Sequence, residues 1–393
     1  MERFDVIIAG AGCAGLSLAY HLTRGGVNGR SILLVDREPK RANDRTWCFW
    51  EAGQGWHEPI VHRRWGRVAF HGERFSAVLD LSPYHYKMIR GEDFYRFMDG
   101  ALGGRPDVAR RYGEVQDITD GSEGATVRVD GQACQGDWVF SSLPARRSEP
   151  DRSRYHYLLQ HFEGWVIETG EPRFDPGLAT LMDFRIEQRG QTRFCYVLPL
   201  DERRALVEFT VFSPQLLPRP EYTAELRAYL GGFLRVDEYA ILHGEFGVIP
   251  MTDEPSPGRS GARVMNIGTA GGRTKPSTGY TFLRIQDQSR AIAASLEADG
   301  HPFYREPLFR RRFGLYDSVL LNILDRGRYP GRDAFTDLFQ RNRAVTVLKF
   351  LDEQTTLAED VGILSSVNLP PFLAGSFDAI RRRLKRTIGR RPK

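Results

Sequence analysis

Asp5-Val6-Ile7-Ile8-Ala9-Gly10-Ala11-Gly12-Cys13-Ala14-Gly15 lies at the start of this 393-residue chain, and its reading decides the fold. The short β-branched apolar run ended by glycine reads as a buried parallel strand. The turn after it is a full GxGxxG match. Gly10 permits a tight turn, Gly12 lets the backbone approach a pyrophosphate, and Gly15 lets the next helix pack on the strand, with Ala14 between them. Free N–H groups and the helix dipole then face the phosphates. Leu16 to Leu22 carries helical apolar spacing and stops near Gly25-Gly26; Ser31 to Asp36 is a second buried strand ending in an acid. Asp36 stands where a carboxylate accepts hydrogen bonds from a ribose diol. Strand, glycines, helix, second strand and acid are in register within about thirty residues, which predicts a βαβ dinucleotide site. This unit alone does not choose between FAD and NAD.

Further along, Ala262 to Gly268 reads as another buried strand, followed by Gly268-Thr269-Ala270-Gly271-Gly272, Pro276, Gly279 and a helix from about Tyr280 to Ala298. Many FAD enzymes place a G-D-A turn here, with the next helix N-terminus facing the flavin pyrimidine. Thr269 stands where the acid usually binds the ribityl chain. Between the two glycine turns the texture changes. Leu181 to Ile186, Arg193 to Leu198 and Ala205 to Phe212 are three strand-like runs with short breaks, which implies an antiparallel meander. Beyond Pro307 the pattern is mainly helical, as in Phe335 to Leu351. The expected fold class is α/β: a Rossmann-like FAD-binding domain with an embedded antiparallel β-sheet substrate domain and a helical C-terminal region. The expected domains are 1–150 with 245–300 for the cofactor, 151–244 for the substrate and 301–393 for the helical region, part of 50–90 joining the substrate domain.

Composition excludes several classes. A 41% hydrophobic and 27% charged chain is ordinary for a globular protein. Cys13, Cys48, Cys134 and Cys195 are scattered without a CxxC pair or His at ligand spacing, so no metal site is expected and reduced thiols are. No charged-then-apolar leader precedes Asp5, and no apolar run reaches the roughly 18–20 residues that cross a bilayer. Net charge is +5, and Arg381, Arg382, Arg383, Lys385, Arg386, Arg390, Arg391 and Lys393 crowd the end of the chain. That tail reads either as a solvated run or as a contact with anionic lipid. Aromatics do not interleave with it, so nucleic acid is not expected.

The chain resembles the bacterial-type lycopene cyclase family. The resemblance is carried by Asn43-Asp44-Arg45-Thr46-Trp47-Cys48-Phe49-Trp50, Tyr86 to Arg90, Met182 to Arg185, Tyr196 to Pro199 and Leu206 to Thr210. Phe246 to Met251, Gly268 to Phe282 and Phe350-Leu351-Asp352-Glu353 extend it over nearly the whole chain. It implies a flavoprotein hydroxylase/reductase-type fold of glutathione-reductase type 2, FAD in its reduced form, and NADPH as the usual electron source. The implied activity is an isomerase that closes the acyclic ends of lycopene into β-rings. Peripheral attachment at the cytoplasmic face of a membrane is implied with it. Oligomeric state is open.

Such a cyclisation needs a proton donor, shelter from water, and electron density facing a cation. Glu208 is the candidate acid. Period-two alternation puts Leu206, Glu208, Thr210 and Phe212 on one strand face, where burial raises a carboxyl pKa and keeps it protonated; the family's matching carboxylate is regarded as the acid–base residue. On the residues alone, a solvated edge strand stays open. Gly10, Gly12, Ala14, Gly15, Asp36, Arg45, Gly268, Thr269, Ala270 and Gly279 are the candidate cofactor contacts. Trp47, Phe49, Phe184, Tyr196, Asp352 and Glu353 are candidate substrate contacts, with surface acids and core aromatics as the alternatives. A true redox flavoenzyme acting on an isoprenoid and a non-catalytic carrier remain as rival functions.

Overall fold

The structure, a computed structural model, describes residues 1–25, 29–144 and 150–388, with side chains described to residue 383. The first βαβ unit forms as the sequence predicts: strand Glu2–Ala9, helix Cys13–Leu22 and strand Ile32–Asp36. Glu2–Ala9 lies between Ile32–Asp36 and Gln132–Ser141, parallel to both. Val108–Tyr112 extends one edge in parallel, and Ala125–Val129 with Val115–Thr119 extends the other antiparallel. Within the central strands the stretches Val6–Ala9, Ile32–Val35 and Trp138–Phe140 are continuously apolar and buried because both faces are covered, as in parallel sheets generally.

The late strand, Val264–Asn266, pairs in parallel with the C-terminal end of Gln132–Ser141. Helix Phe282–Asp299 follows it and lies against helix Cys13–Leu22, with Gln286 Nε2 donating to Ser17 Oγ at 3.0 Å. Two glycine turns far apart in sequence therefore sit side by side. An added Cβ at Gly268 would lie 2.6 Å from Ala14 Cβ.

The second sheet runs Ala240–Thr252, Tyr157–Glu168, Arg204–Ser213, Thr192–Pro199, Ala179–Asp183, Arg67–His71, Ser76–Asp80 in spatial order. It contains the expected antiparallel meander, and takes in residues 67–80 through a parallel pairing of Arg67–His71 with Ala179–Asp183. A third, three-stranded sheet holds Thr46–Glu51, His85–Arg90 and Arg63–Trp65.

Helices Arg311–Asp325, Gly331–Arg341, Ala344–Leu351 and Leu357–Ser366 cover one side of the second sheet, and helix Leu369–Ile388 packs on the first of them. Leu321, Phe335, Phe339 and Val347 pack there against Phe70, Phe184 and Phe212. The helical run expected over 335–351 is two helices. Asn342 is extended, and its Nδ2 donates to Leu338 O at 2.9 Å and to Ser366 Oγ at 2.6 Å, so the side chain competes with the helical ladder. In the last helix Phe372 and Ala379 face Val319 and Ile323. Its other side presents Leu369, Leu373, Phe377 and Ile380, at helical spacing and exposed, beside exposed Leu357 and Val361 of the preceding helix. Arg381 is exposed at the end of that stripe; the basic residues beyond 388 lie outside the described residues. Among the described residues no helix is long and apolar enough to cross a membrane.

Candidate active site

The first glycine turn carries the geometry a pyrophosphate requires. Gly10 has φ +100°, and a Cβ there would lie 2.1 Å from Ser142 Oγ; a Cβ at Gly15 would lie 1.9 Å from Gly10 O. At Gly12 a Cβ would meet no atom within 4 Å, so open space faces the backbone at the start of the helix. Asp36 accepts from Ala11 N–H at 2.7 Å and pairs with Lys40 at 3.2 Å, which holds its carboxylate at the end of the strand beside the turn. Strand, turn and acid fit a dinucleotide.

From this turn a cavity of about 530 Å³ runs to the face of the second sheet. Gly12, Cys13 and Ala14 line one end, with Asp44, Arg45, Thr46 and Trp47 beside them. Thr269 and Gly279 of the late loop line it too, while Ala270 faces the adjoining cleft. The far wall is Tyr196, Leu206, Glu208 and Glu245. Thr269, in the position of the usual acid, shares a hydrogen bond with Thr274 at 2.9 Å. Helix Phe282–Asp299 begins at this loop with no side-chain cap, so its first-turn N–H groups are left for another partner. Gln160 Oε1 and Thr278 Oγ1 are buried on the same cavity without a hydrogen-bond partner among the described residues. Gly279, with φ +73°, makes room for that amide, because a Cβ there would come 2.4 Å from Gln160 Oε1. Polar atoms left unpaired at such cost mark a place where a ligand supplies the missing groups.

Glu208 stands mid-strand in Arg204–Ser213, facing the cavity and not the solvent of an edge. The Thr210 hydroxyl donates to its Oε1 at 2.7 Å. Burial, with the charge of Glu245 next to it, pushes the Glu208 carboxyl well above the usual carboxylate range. Burial pushes Glu245 up as well, against the Thr46 hydroxyl that donates to its Oε2 at 3.0 Å. Tyr196, Tyr86 and Tyr280 lie over this pair, the last two with hydroxyls 3.4 Å apart.

Arg45 is held by Asp44 at 2.7 Å, and Asp44 in turn accepts from Tyr95 at 3.1 Å. Trp47 reaches the cavity with its ring against Phe94 and Phe282. Phe49 and Phe184, expected at the substrate, are packed elsewhere. Phe49 stacks on Phe282 at 4.9 Å, and Phe184 is fully buried among Phe70, Phe194 and Phe335. An aromatic on a half-covered strand satisfies the same alternation whether it meets core or cavity.

Asp352 and Glu353 lie outside this cavity, and Glu353 lines the adjoining cleft. Burial pushes Asp352 up to about 8, against Lys275 and a hydrogen bond from Trp50. Glu353 is ion-paired to Lys275 and Arg284. Burial opposes its charge, but Lys275 and Arg284 together hold it below the usual carboxylate range. Lys275 Nζ is 3.0 Å from Asp317 and 3.1 Å from Glu353, and Arg284 is 2.7 Å from Glu353. Removing one charge from a buried set strands the others, so Lys275→Met should lower stability by about 3–5 kcal/mol. Urea unfolding of the variant against the parent checks this.

Sequence reasoning missed Glu245 and Gln160. Glu245 carried the same signal as Glu208, an acid on a strand otherwise apolar and glycine-rich. Gln160 carried none, because its role depends on the turn at Gly279.

The fold and cavity define a dinucleotide-binding architecture of the flavoprotein type. It matches a flavoprotein/dehydrogenase from Cytophaga hutchinsonii at a TM-score of 0.62 and 12% identity, covering 98% of this chain and all of that one. A geranylgeranyl bacteriochlorophyll reductase-like protein from Thermoplasma acidophilum matches at 0.56 and 13%, covering 95% and 96%. In sequence, residues 5–376 match the family model described as lycopene cyclase protein, and the chain belongs to the lycopene cyclase family. It is 24% identical to a lycopene beta-cyclase from Pantoea ananas, over 76% of this chain and 77% of that protein. It is 27% identical to a chloroplastic neoxanthin synthase from Solanum tuberosum, over 75% of this chain. That match takes in 60% of the synthase's length.

Proposed function

We propose that this chain is an FAD-dependent lycopene β-cyclase that converts the acyclic ends of lycopene to β-rings without net redox change, with NADPH as the source of electrons for the flavin. The observation that carries this reading is a buried carboxyl, Glu208, set beside Glu245 in a cavity continuous with the dinucleotide turn, where burial favours its protonated form.

Glu208 gives its proton to the terminal double bond, leaving a tertiary cation. The neighbouring alkene closes onto that cation, forming the six-membered ring, and loss of a ring proton leaves the double bond. Tyr196, Tyr280 and Trp47 exclude water and present ring faces that favour positive charge. Gly10, Gly12, Ala14, Gly15 and Asp36 would hold the pyrophosphate and ribose of FAD; Arg45, Thr269, Ala270, Gly279, Gln160 and Thr278 would meet its flavin half. Bound in reduced form, the flavin would supply electron density facing the cation.

The apolar stripe Leu369–Ile380 and the arginine at its end support docking on an anionic membrane surface, from which a polyene enters. Leu373→Asp with Phe377→Asp should lower cosedimentation with vesicles containing acidic phospholipid at least about tenfold, since each apolar side chain withdrawn from lipid costs about 1.5–3 kcal/mol. The function itself is tested by anaerobic incubation with lycopene in liposomes, FAD and excess reductant. Cyclic product of unchanged mass, without stoichiometric NADPH consumption, is the expected result; a product of altered mass would turn the reading to a redox enzyme.

A further inference from the structure

We propose that Glu245 is the base of this reaction: its carboxylate removes the ring proton, and its position fixes where the ring double bond forms. The inference rests on the cyclase reading above and goes beyond it by assigning the step that decides which ring results.

The argument begins at Gly164. In strand Tyr157–Glu168 this residue is paired with Glu208 on one side and with Glu245 on the other. Residues paired across neighbouring strands project from the same face of a sheet. Glycine has no side chain to stand between them. A Cβ at Gly164 would lie 3.4 Å from Glu208 Cβ and 3.3 Å from Glu245 Cγ, filling the gap that separates the two acids. Both acids line the same cavity. Three hydrogen-bonded strands thus set two carboxyls next to each other, in front of one ligand.

Their surroundings differ. Glu245 has the Thr46 hydroxyl on Oε2 and Arg45 nearby, opposed by Asp44, so it is the better placed to carry charge. Among the described residues, Glu208 has Cys48, Tyr196 and Tyr280 about it and no cation acting on its carboxyl. One shared proton therefore rests on Glu208, and the pair works as acid and base.

The chemistry needs both. Proton gain occurs at the carbon next to the one that becomes the cation, and ring closure attaches the former cationic carbon to the carbon that later loses a proton. The two proton-transfer sites are two bonds apart, within reach of adjacent carboxyls. The Glu208 O–H bond breaks as the new C–H bond forms; the second alkene's π pair forms the ring C–C bond. Glu245 then takes the proton, and the C–H pair becomes the ring double bond. The proton returns from Glu245 to Glu208 across Gly164, and no electron is gained or lost. Loss from the carbon that bears the polyene gives the conjugated β-ring. Loss from the ring CH₂ gives the ε-ring, and loss from the methyl gives an exocyclic double bond. The base decides among them by where it stands.

The test compares the wild-type chain, Glu245→Gln and Glu245→Asp, each with reduced FAD and lycopene in liposomes, and reads ring type by chromatography across pH. Wild-type activity should fall at both low and high pH, where the pair holds two protons or none. Glu245→Gln should be at least about 100-fold slower, the scale of a lost general base; it should lose the low-pH fall and yield rings with displaced double bonds. Glu245→Asp should restore part of the rate. A Gln variant that forms β-rings alone, with the low-pH fall retained, overturns the assignment. A wild-type chain that leaves lycopene acyclic overturns the cyclase reading itself and the assignment with it. A second readout needs no turnover: infrared titration of the flavin-loaded, substrate-free protein. The protonated carboxyl band should persist to higher pH in the wild type than in Glu245→Gln, because the neighbouring charge is gone. An unchanged midpoint overturns the pairing.

Discussion

Glu208→Gln should abolish cyclisation while leaving the fold and the flavin in place. Protonating an unactivated alkene requires a positioned acid, so the loss is expected to exceed about 1,000-fold, or about 4 kcal/mol of transition-state stabilisation. An amide fits the site sterically, and Thr210 can still donate to its oxygen. The pH dependence has a definite sign. Glu208 is raised in the folded protein, so wild-type activity is lost as pH rises through its folded pKa, while the fall at low pH belongs to protonation of Glu245. The same shift acts on stability. The folded protein keeps a proton that the unfolded chain releases near the ordinary carboxylate pKa, so this contribution is present at low pH and lost as pH rises through the raised value. The Gln variant has no such proton to lose, and its melting temperature should exceed that of the wild type on the alkaline side. Product chromatography and a melting series over pH check the two halves. Substantial cyclisation by Glu208→Gln would remove the acid from the mechanism.

Gly15→Ala should have the second large effect, at the other end of the cavity. The added Cβ would meet Gly10 O at 1.9 Å, and a carbonyl in the tight turn cannot rotate away as a side-chain tip can. Either the helix moves off the strand or the turn opens, and both move the N–H groups aimed at the pyrophosphate. Overpacking of a core contact costs about 1–3 kcal/mol, and contact with backbone belongs at the upper end. Flavin affinity should drop at least about tenfold, measured by fluorescence quenching on titration with FAD. Gly12→Ala is the contrast: open space faces that position, so folding should be intact.

What the residues revealed early and what they hid follows from range. The βαβ unit was legible because strand, turn, helix and acid are consecutive and each carries its own local rule. Glu208 was legible by alternation along a single strand. Its pairing with Glu245 was not, because that depends on the register of three strands around Gly164, drawn from segments about forty residues apart or more. Phe49 and Phe184 were misplaced for the same reason: alternation tells which residues share a face, and the packing partner of that face is a tertiary fact. Glu353 looked like a surface acid or a substrate contact until Lys275 and Arg284 were seen beside it. The break at Asn342 was visible only as a residue type that favours its own backbone bonds.

The contact between Gly268 and Ala14 has a consequence for how the molecule comes into being. About 250 residues separate the two turns, and the whole second sheet is strung between them. Loop closure over such a span is slow and entropically costly, so the two halves of the nucleotide cradle meet late. An N-terminal fragment ending before the strand Val264–Asn266 should retain little flavin, and yellow colour during refolding should lag the recovery of β-structure. Acquisition of the coenzyme would then act as a checkpoint, marking only those chains whose second sheet has already been enclosed.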